Sequence, residues 1–201
     1  MVRTGGDKTK QKILDTAEKL FSQNGFHATS VNKIAKEADV NKALIYYYFK
    51  DKNDLVISLF RKILEELSDV DANIKHTDSE TRADDDMSGD YTDALRTEIS
   101  YLDEKKKIIA ILLMESLKTD DDNTFLFECA ELVTAYEHPG LKSKPQIVQE
   151  FFTGFIPLIS FVALQDKFCS YFECDKNEAL EYFIESFLSS HMKTHQDLEV
   201  Q

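Results

Sequence analysis

Three apolar stripes at helical spacing, cut by two very short turns, fill the first fifty residues of this chain. Ile13, Leu14, Ala17, Leu20 and Phe21 fall on one face of a helix from about Lys8 to Asn24. Asn24-Gly25 ends it, since glycine accepts the left-handed backbone that follows a helix. Thr29 and Ser30 are candidate caps for a second, short helix, Ser30 to Ala38, with Val31, Ile34, Ala35 and Ala38 turned inward. The turn Asp39-Val40-Asn41 follows, and Asp tolerates left-handed backbone better than most residues. Asn41 can cap a third helix, from Lys42 to Phe49 or Lys50. A fourth opens at Asp51 with Asp54 in its first turn, where acidic groups suit the helix dipole. Its stripe is Leu55, Val56, Leu59, Phe60, Ile63, Leu64 and Leu67.

The rest of the chain reads the same way. Six Gly and three Pro in 201 residues, with 42% hydrophobic residues, favour an all-α chain with a sizeable core. Ser68 to Asp90 breaks the pattern: it is acidic, nearly without aromatics, and reads as a mobile connection. Further helices are expected at Tyr91–Tyr101 and Asp103–Lys118, and at Asn123–Glu137, where Pro139-Gly140 stops it. A long helix begins near Pro145 and passes Gln165 with a kink at Pro157, and a last one spans Asp175–Thr194. The expected organisation is a domain over 1–52, a connecting helix over 53–67 and a second domain over 68–201.

Several classes are disfavoured. Three cysteines, Cys129, Cys169 and Cys174, without Cys-x-x-Cys spacing argue against a disulfide framework or a zinc knot, so a reducing cytoplasm is the expected setting. No apolar run reaches the roughly 18 residues of a membrane helix, the most apolar being Phe151 to Leu164, and no signal-peptide core is seen in MVRTGGDKTKQ. His191 and His195 stand four apart, but near a C-terminal end where histidine also suits the helix dipole, and no metal is expected. No phosphate loop or nucleophile elbow appears, so neither an enzyme nor a bound cofactor is expected.

The formal net charge of -13 seems to speak against nucleic acid, but its distribution reverses that. Residues 1–67 hold twelve Lys and Arg against nine Asp and Glu, a balance of +3, which leaves -16 for the remainder. One end can meet a polyanion while the other repels it.

The third helix carries Tyr46, Tyr47, Tyr48 and Phe49 in a row. Successive helical residues turn by about 100°, so four cannot share one core. With Ile45 and Phe49 inward, Tyr48 sits at the inner edge and Ala43, Leu44, Tyr46 and Tyr47 form the outer face, with Lys42 at the start. That surface suits a major groove: alanine permits close approach, leucine and tyrosine can meet thymine methyls, and lysine and phenols can reach phosphates. Two short helices on a tight turn are a helix-turn-helix, whose second helix enters the groove. Thr29, Ser30 and Lys52, at helix starts, are placed for backbone phosphates. Lys8, Lys10 and Lys12 flank them.

The stretch ILDTAEKLFSQNGFHATSVNKIAKEADVNKALIYYYFKDKNDL, Ile13 to Leu55, resembles the tetracycline-repressor (TetR) family of bacterial transcription regulators. Asp39 stands for the family's turn glycine and Asn41 for its serine, and both keep the local role. Ala43-Leu44 stands where Gly-Thr is common, which alters the base-reading face. TGFIPLISFVALQDKF and EALEYFIESFL look like the family's last two helices, which pair across a two-fold axis as a four-helix bundle. The apolar surplus of Phe151, Phe152, Phe155, Ile156, Ile159 and Val162, with Phe183, Phe187 and Leu188, suggests a homodimer independently.

The resemblance implies a ligand-responsive repressor that binds a palindromic double-stranded DNA operator as a homodimer, away from membranes. An effector of unknown identity would bind among the middle helices, where Met114, Phe125, Cys129, Phe152 and Phe155 are candidate lining residues. The alternative is a dimeric helical ligand-binding or adaptor protein that no longer reads DNA.

Overall fold

The computed structural model describes residues 5–78, 87–118, 124–137 and 143–199. Among them every regular element is helical. The amino-terminal unit is α1 (Gly5–Asn24), α2 (Val31–Glu37) and α3 (Lys42–Tyr48), followed by α4 (Lys52–Asp78). Then come α5 (Met87–Glu104), α6 (Lys106–Ser116), α7 (Phe125–Glu137), α8 (Lys144–Gln149), a π-helical turn (Glu150–Phe155), α9 (Ile156–Phe172) and α10 (Lys176–Glu199).

The ends of the first four helices follow from single residues. Gly25 takes φ +80, and its N–H donates to Phe21 O at 2.9 Å. The Ser30 hydroxyl accepts from Lys33 N, and Asn41 Oδ1 accepts from Ala43 N at 2.9 Å. Asp39, at φ 50, makes the left-handed step between α2 and α3. Asp51 caps α4, its Oδ1 accepting from Asp54 N, and Asp54 Oδ2 accepts from Lys50 N just outside the cap. Ile13, Ala17, Phe21, Ile34, Ile45, Phe49, Leu55 and Leu59 are buried, and they join the larger domain's core through α4.

Three expectations need correction. The connection expected over 68–90 is helical to Asp78 and again from Met87, with 79–86 outside the described residues. The stretch from Ser68 to Asp78 holds no Gly or Pro, so nothing in it stops α4 once the buried half has nucleated the helix. The break expected near Leu102 falls at Lys105 instead. The kink assigned to Pro157 is a π turn just before it, with Ile156 N–H donating to Phe151 O, five residues back. Proline lacks an N–H and crowds the carbonyl four residues earlier, and widening the preceding turn removes that clash. The limits placed at Asn123 and Pro139-Gly140 lie outside the described residues.

From Lys144 to Phe172 the helical path is continuous and, by length and composition alone, long and apolar enough to cross a bilayer, contrary to the reading of the sequence. Within the fold it packs against α5, α6 and α10. Its buried Gln165 donates to Asp103 Oδ1 at 2.7 Å, and Phe161 stacks on Phe183 of α10 at 4.1 Å between ring centres.

Candidate nucleic-acid interface

The outer face of α3 is set by its inner one. Ile45 and Phe49 are each 1% exposed, which leaves Tyr46 at 49% and Tyr47 at 77%. Ala43 is exposed and Leu44 half-buried. The rings are braced. Tyr47 meets Tyr48 edge-on at 4.9 Å, and Tyr48 lies tilted against Phe49. At the start of α1, a Cβ on Gly6 would lie 3.3 Å from the Tyr48 hydroxyl, so glycine leaves room for the ring. Lys42 Nζ lies 5.6 Å from the Tyr46 ring centre, one turn along the helix, a cation–π spacing. Lys10 Nζ approaches the Phe49 ring, which brings the start of α1 beside the end of α3. A shallow cleft on the outer side of α1 is lined by Lys8, Gln11, Lys12, Asp15, Thr16 and Lys19 and extends the basic surface.

Two residues expected at phosphates are used elsewhere. Thr29 is fully buried, and its hydroxyl lies 2.9 Å from Gly25 O and 3.2 Å from Leu20 O. It ties the end of α1 to the start of α2 and presents nothing to a ligand. Lys52 Nζ donates to Phe26 O at 2.9 Å and sits 4.0 Å over the Phe26 ring. Burial, the largest influence on it, pushes its ammonium below the usual lysine range. Ser30 is exposed, with its oxygen engaged as the α2 cap.

The five residues expected around an effector do not surround one space. Met114 and Phe152 are 66% and 63% exposed, whereas Phe125, Cys129 and Phe155 are packed in the core. Burial pushes the Cys129 thiol up to about 12, which makes it inert. The aromatic cluster beside them is real: Phe155 meets Phe60 edge-on and Phe151 at 6.0 Å, and Phe151 meets Phe127 and Phe152. His191 of the weighed histidine pair faces Thr153 Oγ1 at 3.1 Å and Glu150 at 3.6 Å. The side chain of His195 lies outside the described residues.

Among the described residues an all-helical body carries a helix-turn-helix whose second helix is capped, braced and open on its outer face, a geometry that suits the major groove of DNA. The family model for bacterial regulatory proteins of the tetR family matches residues 13–59, the helix-turn-helix and the first turns of α4. The chain is 53% identical over 57 residues to the probable HTH-type transcriptional regulator YttP of Bacillus subtilis, covering 28% of each chain. It is 36% identical over 121 residues to the HTH-type transcriptional regulator AcrR of Shigella flexneri, covering 60% of this chain and 47% of that protein. The matches thus span less than half the length of these two relatives. The crystal structure of B. subtilis FadR in complex with stearoyl-CoA superposes with a TM-score of 0.54 at 21% identity, covering 90% of this chain and 98% of that one, which shows a shared fold.

Proposed function

We propose that this chain is a ligand-responsive transcriptional repressor that binds a palindromic operator as a homodimer in the cytoplasm. The observation that carries the reading is the outer face of α3, where Lys42, Ala43, Tyr46 and Tyr47 are presented together. Two exposed phenols beside an alanine are a costly face for water and a useful one for a groove floor. Lys42 and Tyr46 are the principal contacts, with Leu44 and Ser30 at the margins. Phosphate contacts along the flank come from Lys8, Lys10 and Lys12, in place of Thr29 and Lys52.

A two-fold dimer is supported by α9. Leu164, Phe168, Tyr171 and Phe172 are exposed and fall at i, i+4, i+7 and i+8, a single apolar stripe beside exposed Tyr182 on α10. This stripe differs from the surplus expected from the sequence, because Phe155, Ile159 and Val162 are used within the subunit. The same stripe explains the membrane-like composition of the α8–α9 path as a buried seam. For the effector, the aromatic cluster around Phe151 and Phe155 favours an apolar molecule, and a long-chain acyl thioester is the first class to test, given the ligand of the FadR fold neighbour.

The test is selection of duplexes from a random pool, followed by binding titrations at several salt concentrations. A two-fold symmetric site bound with a steep salt dependence is expected. Affinity that is the same for every duplex would leave a helical ligand-binding or adaptor protein as the better reading.

A further inference from the structure

Glu115, in the last turn of α6, is a nearly buried carboxylate at the seam between the two domains. Charge removed from water needs partners. Lys118 Nζ lies 2.8 and 2.7 Å from its two oxygens, and His27 Nε2 lies 2.9 Å from Oε1, with Lys118 and His27 also in close contact. His27 belongs to the connection between α1 and α2, and its ring meets Phe26 edge-on at 5.5 Å. Phe26 O is the acceptor for Lys52 at the start of α4. A single carboxylate therefore stands where the α1–α2 connection, the start of α4 and the end of α6 meet.

The beginning of α6 is tied down as well. Lys105 Nζ meets Glu18 Oε1 at 2.9 Å, and Lys107 Nζ donates to Ser22 O at 3.0 Å. Residues 18, 22 and 27 thus meet 105, 107 and 115 in order, so α6 runs along the second half of α1 in the same direction, like a splint. The two lysine ties are long, flexible side chains that can follow a moving partner. The Glu115 tie is short, its carboxylate is the most buried of these charged groups although His27 itself is exposed, and it holds the connection that leads into α2 and α3.

We infer that Glu115 is a positioning residue: through His27 it sets the angle at which the helix-turn-helix stands on the body, and so the separation of the two recognition helices in a dimer. The inference rests on the proposed DNA-binding reading. Half-sites on one face of a duplex lie about 34–36 Å apart, so a small change of angle, doubled by symmetry, spoils the fit.

The test uses the full chain and the two-fold duplex that the parent protein selects from a random pool. Binding is measured to the full site, to one half-site at low salt, and to full sites with the central spacer changed by one or two base pairs. Glu115→Gln and His27→Ala are each expected to weaken the full site about fivefold and to flatten the preference between spacers. Half-site binding and melting temperature should stay at the parent level, and the double variant should be no worse than the worse single one. A parallel fall in half-site and full-site binding would show that Glu115 only stabilises the head, and no change at either would show an idle ion pair; both overturn the inference. If the parent selects no two-fold site, the DNA-binding reading itself fails and takes this one with it.

Discussion

Residues of one type play opposite parts here, and burial decides which. Tyr46 and Tyr48 are two apart, yet Tyr46 faces outward and Tyr48 is wedged against Phe49. Tyr46→Ala and Lys42→Ala should weaken operator binding with little change in unfolding midpoint, because nothing in the core leans on either. Lys42→Ala should also reduce the salt slope by about one counterion. A titration in which both variants bind like the parent would remove α3 as the reading helix. Thr29→Val is the opposite case. The substitution keeps the shape but deprives Leu20 O and Gly25 O of a buried donor, so it should cost about 1–3 kcal/mol in denaturant unfolding. A stability unchanged within error would mean those carbonyls find other donors. The sequence marks Thr29 as a polar residue at a helix start, and that position fits a phosphate contact and a buried tie equally well. Only the packing of α1 against α2 separates them.

At the scale of elements, the amino-terminal third is legible because each helix ends at a residue with a local reason to end it. Gly25, Ser30, Asn41 and Asp51 act within a few residues, and the stripes between them repeat at helical spacing. The later helices are less so, since their limits depend on neighbours. α4 continues past Leu67 because nothing stops it, and the outer stripe of α9 can be told from its inner one only once α6 covers one side. The π turn is the clearest case. Pro157 predicts a disturbance, but its form depends on α10, whose His191 ring lies against Gly154. A Cβ added at Gly154 would come within 2.8 Å of His191 Cε1. Gly154→Ala should therefore destabilise the domain by about 1–3 kcal/mol, as overpacking does. His191→Ala in the same chain should recover most of that loss, since the ring is what the new methyl meets. Calorimetric scans of the two single variants and the double form the cycle, and strictly additive losses would mean that the glycine serves the π backbone itself rather than the histidine.

For the molecule as a whole, charge and apolar surface divide the labour. The balance of +3 over residues 1–67 and -16 over the rest would direct the head toward a polyanion and keep the body off it, so in the proposed mode binding orientation is chosen before any base is read. In the proposed mode a single head would bring one lysine and two phenols to the groove, too few directional contacts for tight recognition, and doubling by symmetry would supply the rest. The stripe Leu164, Phe168, Tyr171 and Phe172 is the surface that can do the doubling. Phe168→Glu places a charge at its middle, and an isologous contact meets every substitution twice. Losing about 2 kcal/mol of apolar burial on each side weakens association roughly 1000-fold. Sedimentation velocity should then find a monomer at concentrations where the parent is a dimer, with the head still folded and half-site affinity retained. A variant that remains dimeric and binds the full site as the parent does would move the two-fold axis to another face, and with it the spacing that Glu115 is inferred to set.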